Sequence, residues 1–311
     1  MNWIQHFRES RKTDGILTSL LTPLPDLFPY RLHNTLEGID YMGKFRLSKP
    51  WKLHYEQDKE SHPQFGYDYL DIVPKGSIML LSGGLDSFIQ WRLLQYPRAV
   101  YFAIGHDAQD KEIKCLEQIQ KKFGGDITID HSLPFLGKYA LPSGFIPYRN
   151  LFFIMLASLY SQNVVIAQIA EWAPDKNHHF YRRTEKLLKK IGQGKFQGID
   201  IKPKIYAPFS NKSKTELVRM YLRRWPAEDL TKYTVSCYSG LDIACGKCNG
   251  CFSRYIAMKN NRIEEPYIKI PSYDDFKKKL DWHDFRFRNI PMYVKRLREL
   301  REFKKNEISK S

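Results

Sequence analysis

Ten residues constrain this chain most. The apolar run Ile78-Met79-Leu80-Leu81 passes directly into Ser82-Gly83-Gly84-Leu85-Asp86-Ser87. A short apolar run, a glycine pair and a helical segment from Phe88 to Leu94 spell strand, tight turn and helix. The glycines let backbone approach a ligand closely. The turn's N–H groups and the N-terminus of the new helix then face outward, where the macrodipole favours an anion. Ser82 and Ser87 add hydroxyl donors. Asp86 repels phosphate unless it holds a cation or orients N–H groups, so a magnesium-assisted site is expected.

From Lys75 onward the pattern alternates. Ile78–Leu81, Ala99–Ile104, Asp126–Asp130 and Asn163–Ile169 read as strands; Phe88–Leu94, Lys111–Phe123 and Asn150–Ser161 read as helices. This spacing predicts an α/β fold, a parallel sheet with helices on both faces. Ligands of such sheets sit at the carboxyl ends of the strands. That edge receives the glycine loop, Gly105-His106-Asp107 and Ala170-Glu171-Trp172. His106, Glu171 and Asp175 are therefore candidate substrate contacts, and Asp175 suits the amidine-like edge of a purine-type base. Arg149 opens a helix, where a cation works against the dipole unless it faces phosphate or carboxylate. Lys214 stands in the same position at a helix whose start is marked by the capping-box pair Ser213 and Glu216.

Of five cysteines, four crowd into Cys237-x7-Cys245-x2-Cys248-x2-Cys251. Clustering with x2 spacing suits a tetrahedral metal rather than a disulfide framework. Zinc in a structural role is the expectation, because four thiolates leave no open position; an iron–sulfur cluster is the alternative. Cys115, on an apolar helical stretch, reads as a core thiol.

The net charge of +16 suits nucleic acid, nucleotides or an acidic partner without choosing among them. No run of 18 apolar residues appears and the first residues are polar, so a cytoplasmic protein without a membrane span is expected. Residues 1–75 are rich in aromatics and read as a small accessory domain. Residues 76–233 carry the nucleotide-binding sheet, 234–261 the metal module, and 262–311 a basic helical extension with 14 basic and 9 acidic residues. Met292, Val294, Leu297 and Leu300 give that extension an apolar stripe, either packed on the body or free to dock a partner.

The Ser-Gly-Gly-x-Asp-Ser loop lacks a Walker A ending and resembles the PP-loop ATP pyrophosphatases, which cleave ATP between the α- and β-phosphates. The loop, Pro147-x-Arg149-Asn150, Ser213-Lys214-x-Glu216 and the cysteine cluster after Thr234-x-Ser236 together resemble the QueC, or 7-cyano-7-deazaguanine synthase, family over residues 76–260. The resemblance implies ATP, Mg2+, Zn2+ and 7-carboxy-7-deazaguanine or a related deazapurine. Its ATP-binding residues fall on Leu81, Ser82, Gly83, Gly84, Leu85, Asp86, Ser87, Arg149 and Lys214, with Asp86, Arg149 and Lys214 as the catalytic group. Its zinc ligands fall on Cys237, Cys245, Cys248 and Cys251. Gly105-His106-Asp107 and Glu171-Trp172-Ala173-Pro174-Asp175 depart from the family's segments. With the added terminal regions, they make the chain look more like QueC-like proteins of anti-phage defence clusters, where a deazaguanine carboxylate is joined to a partner protein. Nitrile synthesis from ammonia, modification of an RNA base, a non-catalytic nucleotide-binding subunit and a homodimer remain open alternatives.

Overall fold

The structure, a computed structural model, describes residues 72–141, 145–170, 175–194, 199–239, 241–272, 274 and 290–308. The expected accessory domain, apart from its last four residues, and Glu171 lie outside the described residues.

Alternating apolar runs build the sheet. Strands β1 (Ile78–Leu80), β2 (Arg98–Phe102), β3 (Ile127–Asp130), β4 (Asn163–Ile166) and β7 (Lys204–Tyr206) are all parallel, in the order β3-β2-β1-β4-β7. A separate two-stranded pair joins β5 (Gln193–Gly194) to β6 (Ile199–Asp200). The chain runs outward from β1 to β3 and then crosses to the far side of β1 to lay down β4. The crevice between the carboxyl ends of β1 and β4 is thus the topological switch point, where ligands of open α/β sheets bind.

The period of two sorts the strand residues into two cores. Met79, Leu81, Ala99, Tyr101, Ile127 and Val165 face one side with helices α1 (Leu85–Leu93), α2 (Gln109–Phe123) and α5 (Lys214–Leu222). Ile78, Val100, Phe102, Val164 and Ile166 face the other with α3 (Arg149–Tyr160) and α4 (His178–Ile191). Burial on both faces explains why the strands read as continuous apolar runs. Short α6 (Glu228–Lys232) leads to the cysteine-bearing segment, α7 (Asn249–Asn260) follows it, and α8 (Ile290–Ile308) ends the described chain.

Several boundaries differ from expectation. Helix α1 starts at Leu85, not Phe88, because Phe88 N–H already bonds the Gly84 carbonyl (2.9 Å). Asp86 and Ser87 therefore lie in its first turn, where a carboxylate suits the dipole. Strand β4 stops at Ile166, where its ladder to β1 ends and the chain turns. Strand β7 is a three-residue edge with partly exposed side chains, too short to show a pattern. The C-terminal helix packs on the body: Leu300 and Phe303 are buried with Phe252, Tyr255 and Ile256. No helix among the described residues is long and apolar enough to cross a membrane.

Leu116 of α2 is fully buried directly beneath the glycine loop, its Cγ 3.6 Å from where a Cβ on Gly83 would sit. Leu116→Ala is expected to lower stability by about 2–5 kcal/mol with an unchanged denaturant m-value, measured by chemical unfolding.

Candidate functional site

The loop after β1 is shaped by Gly83, whose φ of +68° lies in the left-handed region. Ser82 is exposed at the turn, and its Oγ lies 3.2 Å from Ser87 Oγ and accepts from Gly84 N–H at 3.3 Å. Ser87 Oγ also donates to the Gly84 carbonyl at 3.0 Å. Leu81 and Leu85 are buried pegs on either side. The first-turn N–H groups of α1 have no intrahelical acceptor and point out of the helix end. The result is a preorganised set of N–H and O–H donors suited to a phosphate chain.

Charged groups converge on this turn. Lys214, the first residue of α5, is buried and its ammonium pairs with Asp86 Oδ2. Asp86 Oδ1 is buried with no hydrogen-bond partner among the described residues, a position that suits a cation. The capping box at Ser213 forms as expected: Glu216 N–H bonds Ser213 Oγ (3.2 Å) and Ser213 N–H bonds Glu216 Oε2 (2.6 Å). Burial opposes the Glu216 charge, but the Ser213 N–H and Lys295 outweigh it and hold its carboxyl below the usual value.

Arg149 begins α3 after Tyr148, a non-glycine residue at φ +61° that is 71% exposed. Arg149 is partly buried. The β4 exit is tied to both helices: Gln90 donates to the Gln168 carbonyl (3.2 Å), Gln168 to the Lys176 carbonyl (2.9 Å), and Asn150 to the Asp175 carbonyl (3.3 Å). Asp175 thus stands beside the N-terminus of α3, one residue from Arg149 through Asn150.

The rear of the loop is anchored to the cysteine module. Val235 N–H donates to the Gly83 carbonyl at 2.9 Å. The Cys115 thiol donates to the Tyr233 carbonyl at 3.2 Å and lies 3.6 Å from the Gly83 carbonyl. Burial pushes that thiol up to about 12, so it is an inert core group. Segment 230–236 is gripped by Arg254 of α7, whose guanidinium bonds the Leu230 carbonyl (2.9 Å), Thr234 Oγ1 (2.7 Å), the Thr234 carbonyl (3.2 Å) and both oxygens of Glu265.

Cys237, Cys245, Cys248 and Cys251 place their sulfurs within 4.8 Å of one another, with Cys245 and Cys251 at 3.8 Å. Backbone N–H groups point at these sulfurs: Cys245 N–H at Cys237, Lys247 N–H at Cys245 and Cys251 N–H at Cys248. The bond from Cys251, with further N–H donors, holds the Cys248 thiol down to about 4, while the same bond and burial push the Cys251 thiol up. Four convergent sulfurs with N–H support fit one metal ion.

His106 is held by neighbours on β2 and α2. Its Nε2 lies 3.2 Å from Glu112 and 3.4 Å from Tyr101 Oη, which itself donates to Glu112 at 2.7 Å. The structure therefore shows it braced within the β2–α2 turn. Val235 and Arg254 are positioning groups that the sequence did not single out, whereas Cys115 is the buried core thiol that it indicated. The partners of Val235 and Arg254 lie far along the chain, beyond any local pattern.

Cys248→Ser is expected to lose metal and thermal stability together; a full metal complement in that variant contradicts the ligand set. Gly250→Ala is expected to do the same with all four sulfurs intact, because its methyl would collide with the Ser236 carbonyl. Metal analysis and thermal melts check both.

Residues 126–262 match the family model described as "Queuosine biosynthesis protein QueC". The 7-cyano-7-deazaguanine synthase of Methanosarcina mazei is 27% identical over 235 residues, covering 62% of this chain and 97% of the relative. That of Thermoplasma acidophilum is 28% identical over 239 residues, covering 64% and 94%. Among solved structures, the U34-tRNA thiolase NcsA of Methanococcus maripaludis aligns at a TM-score of 0.33 and 14% identity, over 60% of this chain and 69% of that one, too low to carry an argument. The matched segment holds Arg149, Lys214 and all four cysteines, while the glycine loop precedes it and is an independent signal. With the parallel sheet, these matches make the chain similar to the QueC family across its α/β sheet and its cysteine-bearing segment.

Proposed function

We propose that this protein activates the carboxylate of 7-carboxy-7-deazaguanine with ATP and transfers the acyl group to an amine. The observation that carries the reading is the Ser82–Ser87 donor pair beside the Asp86–Lys214 pair at the end of β1, by the switch point, with Arg149 opening the helix that leads into β4. A carboxylate does not acylate an amine at neutral pH without activation. In the proposed step a carboxylate oxygen attacks the α-phosphorus and pyrophosphate leaves with the bonding pair. The amine nitrogen then attacks the acyl carbon, loses a proton and expels AMP.

The residues act by position and charge. The loop's N–H groups and Ser82 and Ser87 hold the β- and γ-phosphates. Lys214 and Arg149 offset the charge that grows on pyrophosphate as it departs. Asp86 keeps Lys214 in place, and its buried Oδ1 is where Mg2+ would be held, supplying further neutralisation of phosphate charge. Asp175 would meet the amidine-like edge of the base. Glu171 belongs to the same proposed substrate loop, and His106 acts on the substrate at most through the turn that it braces.

The four cysteines would hold Zn2+ as a structural ion. A tetrahedron of Zn–S bonds of ~2.3 Å has edges of about 3.8 Å, which the 3.8 Å Cys245–Cys251 separation matches. An iron–sulfur cubane spreads its cysteine sulfurs much farther apart.

The relatives' length is covered almost in full, yet over a third of this chain lies outside the match. That surplus, and the exposed apolar rim of Tyr139, Leu141, Phe145 and Tyr148 leading to Arg149, favour a bulky acceptor: an amine of a partner protein rather than ammonia. Anti-phage defence would be the setting for that conjugation.

Mass spectrometry of a reaction with ATP, Mg2+ and 7-carboxy-7-deazaguanine, with and without ammonium, tests this. The expected result is AMP and pyrophosphate formation without a nitrile, and a lysate protein gaining the deazaguanine acyl mass. A nitrile formed with ammonium assigns synthase activity instead. Intact ATP contradicts the reading, and steeply salt-dependent RNA binding would then direct attention to an RNA base. Asp86→Ala is expected to abolish AMP release in a folded protein; wild-type release would contradict its role.

A further inference from the structure

We propose that Glu299, on the C-terminal helix α8, is a positioning residue for the nucleotide site, acting through the first turn of α5 on Lys214. The inference rests on the nucleotide site assigned above. It concerns a helix outside residues 126–262, the segment that the family model matches.

A lysine at the first position of a helix is in an unfavourable place. Its ammonium adds to the positive end of the macrodipole, and burial in the crevice removes the water that would screen the two. Lys214 is nevertheless 9% exposed and directed at Asp86. The structure shows what offsets the repulsion. Glu299 is also 9% exposed, and its Oε1 accepts from the N–H of Thr215, the residue after Lys214, at 2.9 Å.

With that bond the turn is fixed. Glu216 N–H bonds Ser213 Oγ (3.2 Å), Leu217 N–H bonds the Ser213 carbonyl (3.0 Å), and Thr215 N–H is held by Glu299. The α5 terminus therefore does not offer Thr215 N–H to a phosphate, as a bare helix end would. Its contribution to the nucleotide is the Lys214 ammonium, aimed by a turn whose positive end a carboxylate from α8 has neutralised.

Glu299 is itself held firmly. Asn260 of α7 donates to the Glu299 carbonyl at 3.0 Å. Lys295, Glu299 and Glu302 recur at helical spacing and meet Glu216, Thr215 N–H and Arg219 of α5 in turn. Leu297, Leu300 and Phe303 meet Phe252, Tyr255 and Ile256 of α7. One helix thus wedges between α5 and α7 with a polar stripe on one and an apolar stripe on the other. Of Lys295, Glu299 and Glu302, Glu299 is the one that accepts from a backbone N–H of the turn that carries Lys214; Lys295 meets only the Glu216 side chain there.

Titration of the full-length, metal-loaded chain with ATP and Mg2+ tests the role, with metal content and melting temperature measured in parallel. Glu299→Ala is expected to bind ATP about tenfold more weakly, as for loss of a hydrogen bond to a charged group. Glu302→Ala, one turn farther along and in an exposed pair, is expected to stay within about twofold of wild type. In a Lys214→Ala background, Glu299→Ala is expected to cause no further loss, because its effect runs through Lys214. Wild-type affinity in Glu299→Ala overturns the proposal, and so does an equal loss in Glu302→Ala or a full additive loss in the Lys214→Ala background. If Glu299→Ala does not fold, Glu299→Gln decides: it keeps an oxygen acceptor but not the charge, so about threefold weaker binding supports the role and wild-type binding overturns it. A wild-type chain that takes up no ATP overturns the nucleotide site itself.

Discussion

The bond from Val235 N–H to the Gly83 carbonyl is the contact on which the rest of the site depends. A loop that presents its N–H groups to a ligand must turn its carbonyls the other way, and a rearward carbonyl needs a donor. The left-handed turn at Gly83 aims that carbonyl at the segment before the first metal-site cysteine. The Cys115 thiol packs beside the same carbonyl, so the loop's rear is closed by an inert core group.

That donor segment is itself suspended from Arg254. Every guanidinium nitrogen is bonded, and the bidentate Glu265 neutralises the charge in a fully buried setting. Breaking one side of such a pair strands a buried charge at about 3–5 kcal/mol, so the segment has little freedom. Arg254 stands one turn after Cys251, on the helix whose first turn carries two of the four sulfurs. The line of support runs from sulfurs to helix, guanidinium, Val235 and Gly83. On the proposed function, a metal held by the four sulfurs would support the glycine loop without touching the nucleotide. On the opposite side α8 fixes the α5 turn, so the cationic groups and the loop's donors are set before any ligand arrives, the condition for catalysis by preorganisation.

How much of this was legible follows from the range of the interactions. The glycine loop, the capping box at Ser213 and the cysteine cluster were readable because each is encoded within a few residues. The parallel sheet was readable because buried strands leave apolar runs, although β7 left too little sequence to see. The start of α1 was misplaced by three residues, since a glycine N-cap gives no side-chain signal. Val235, Arg254 and Glu299 were not legible: their partners lie between 11 and 152 positions away in the chain, as with Glu265 and Gly83, and nothing local marks them. His106 was legible as a residue at the ligand edge but not as one braced by Tyr101 and Glu112, because that network exists only once α2 folds back beside β2.

The most direct measurement of the account is amide hydrogen exchange across residues 82–88 and 233–238, with the metal bound and after chelation. If the module supports the loop through Val235, protection of the two stretches falls together when the metal is removed, while the β2 and β3 amides hold theirs. A loop that keeps its protection after the cysteine module has lost its own would contradict the account.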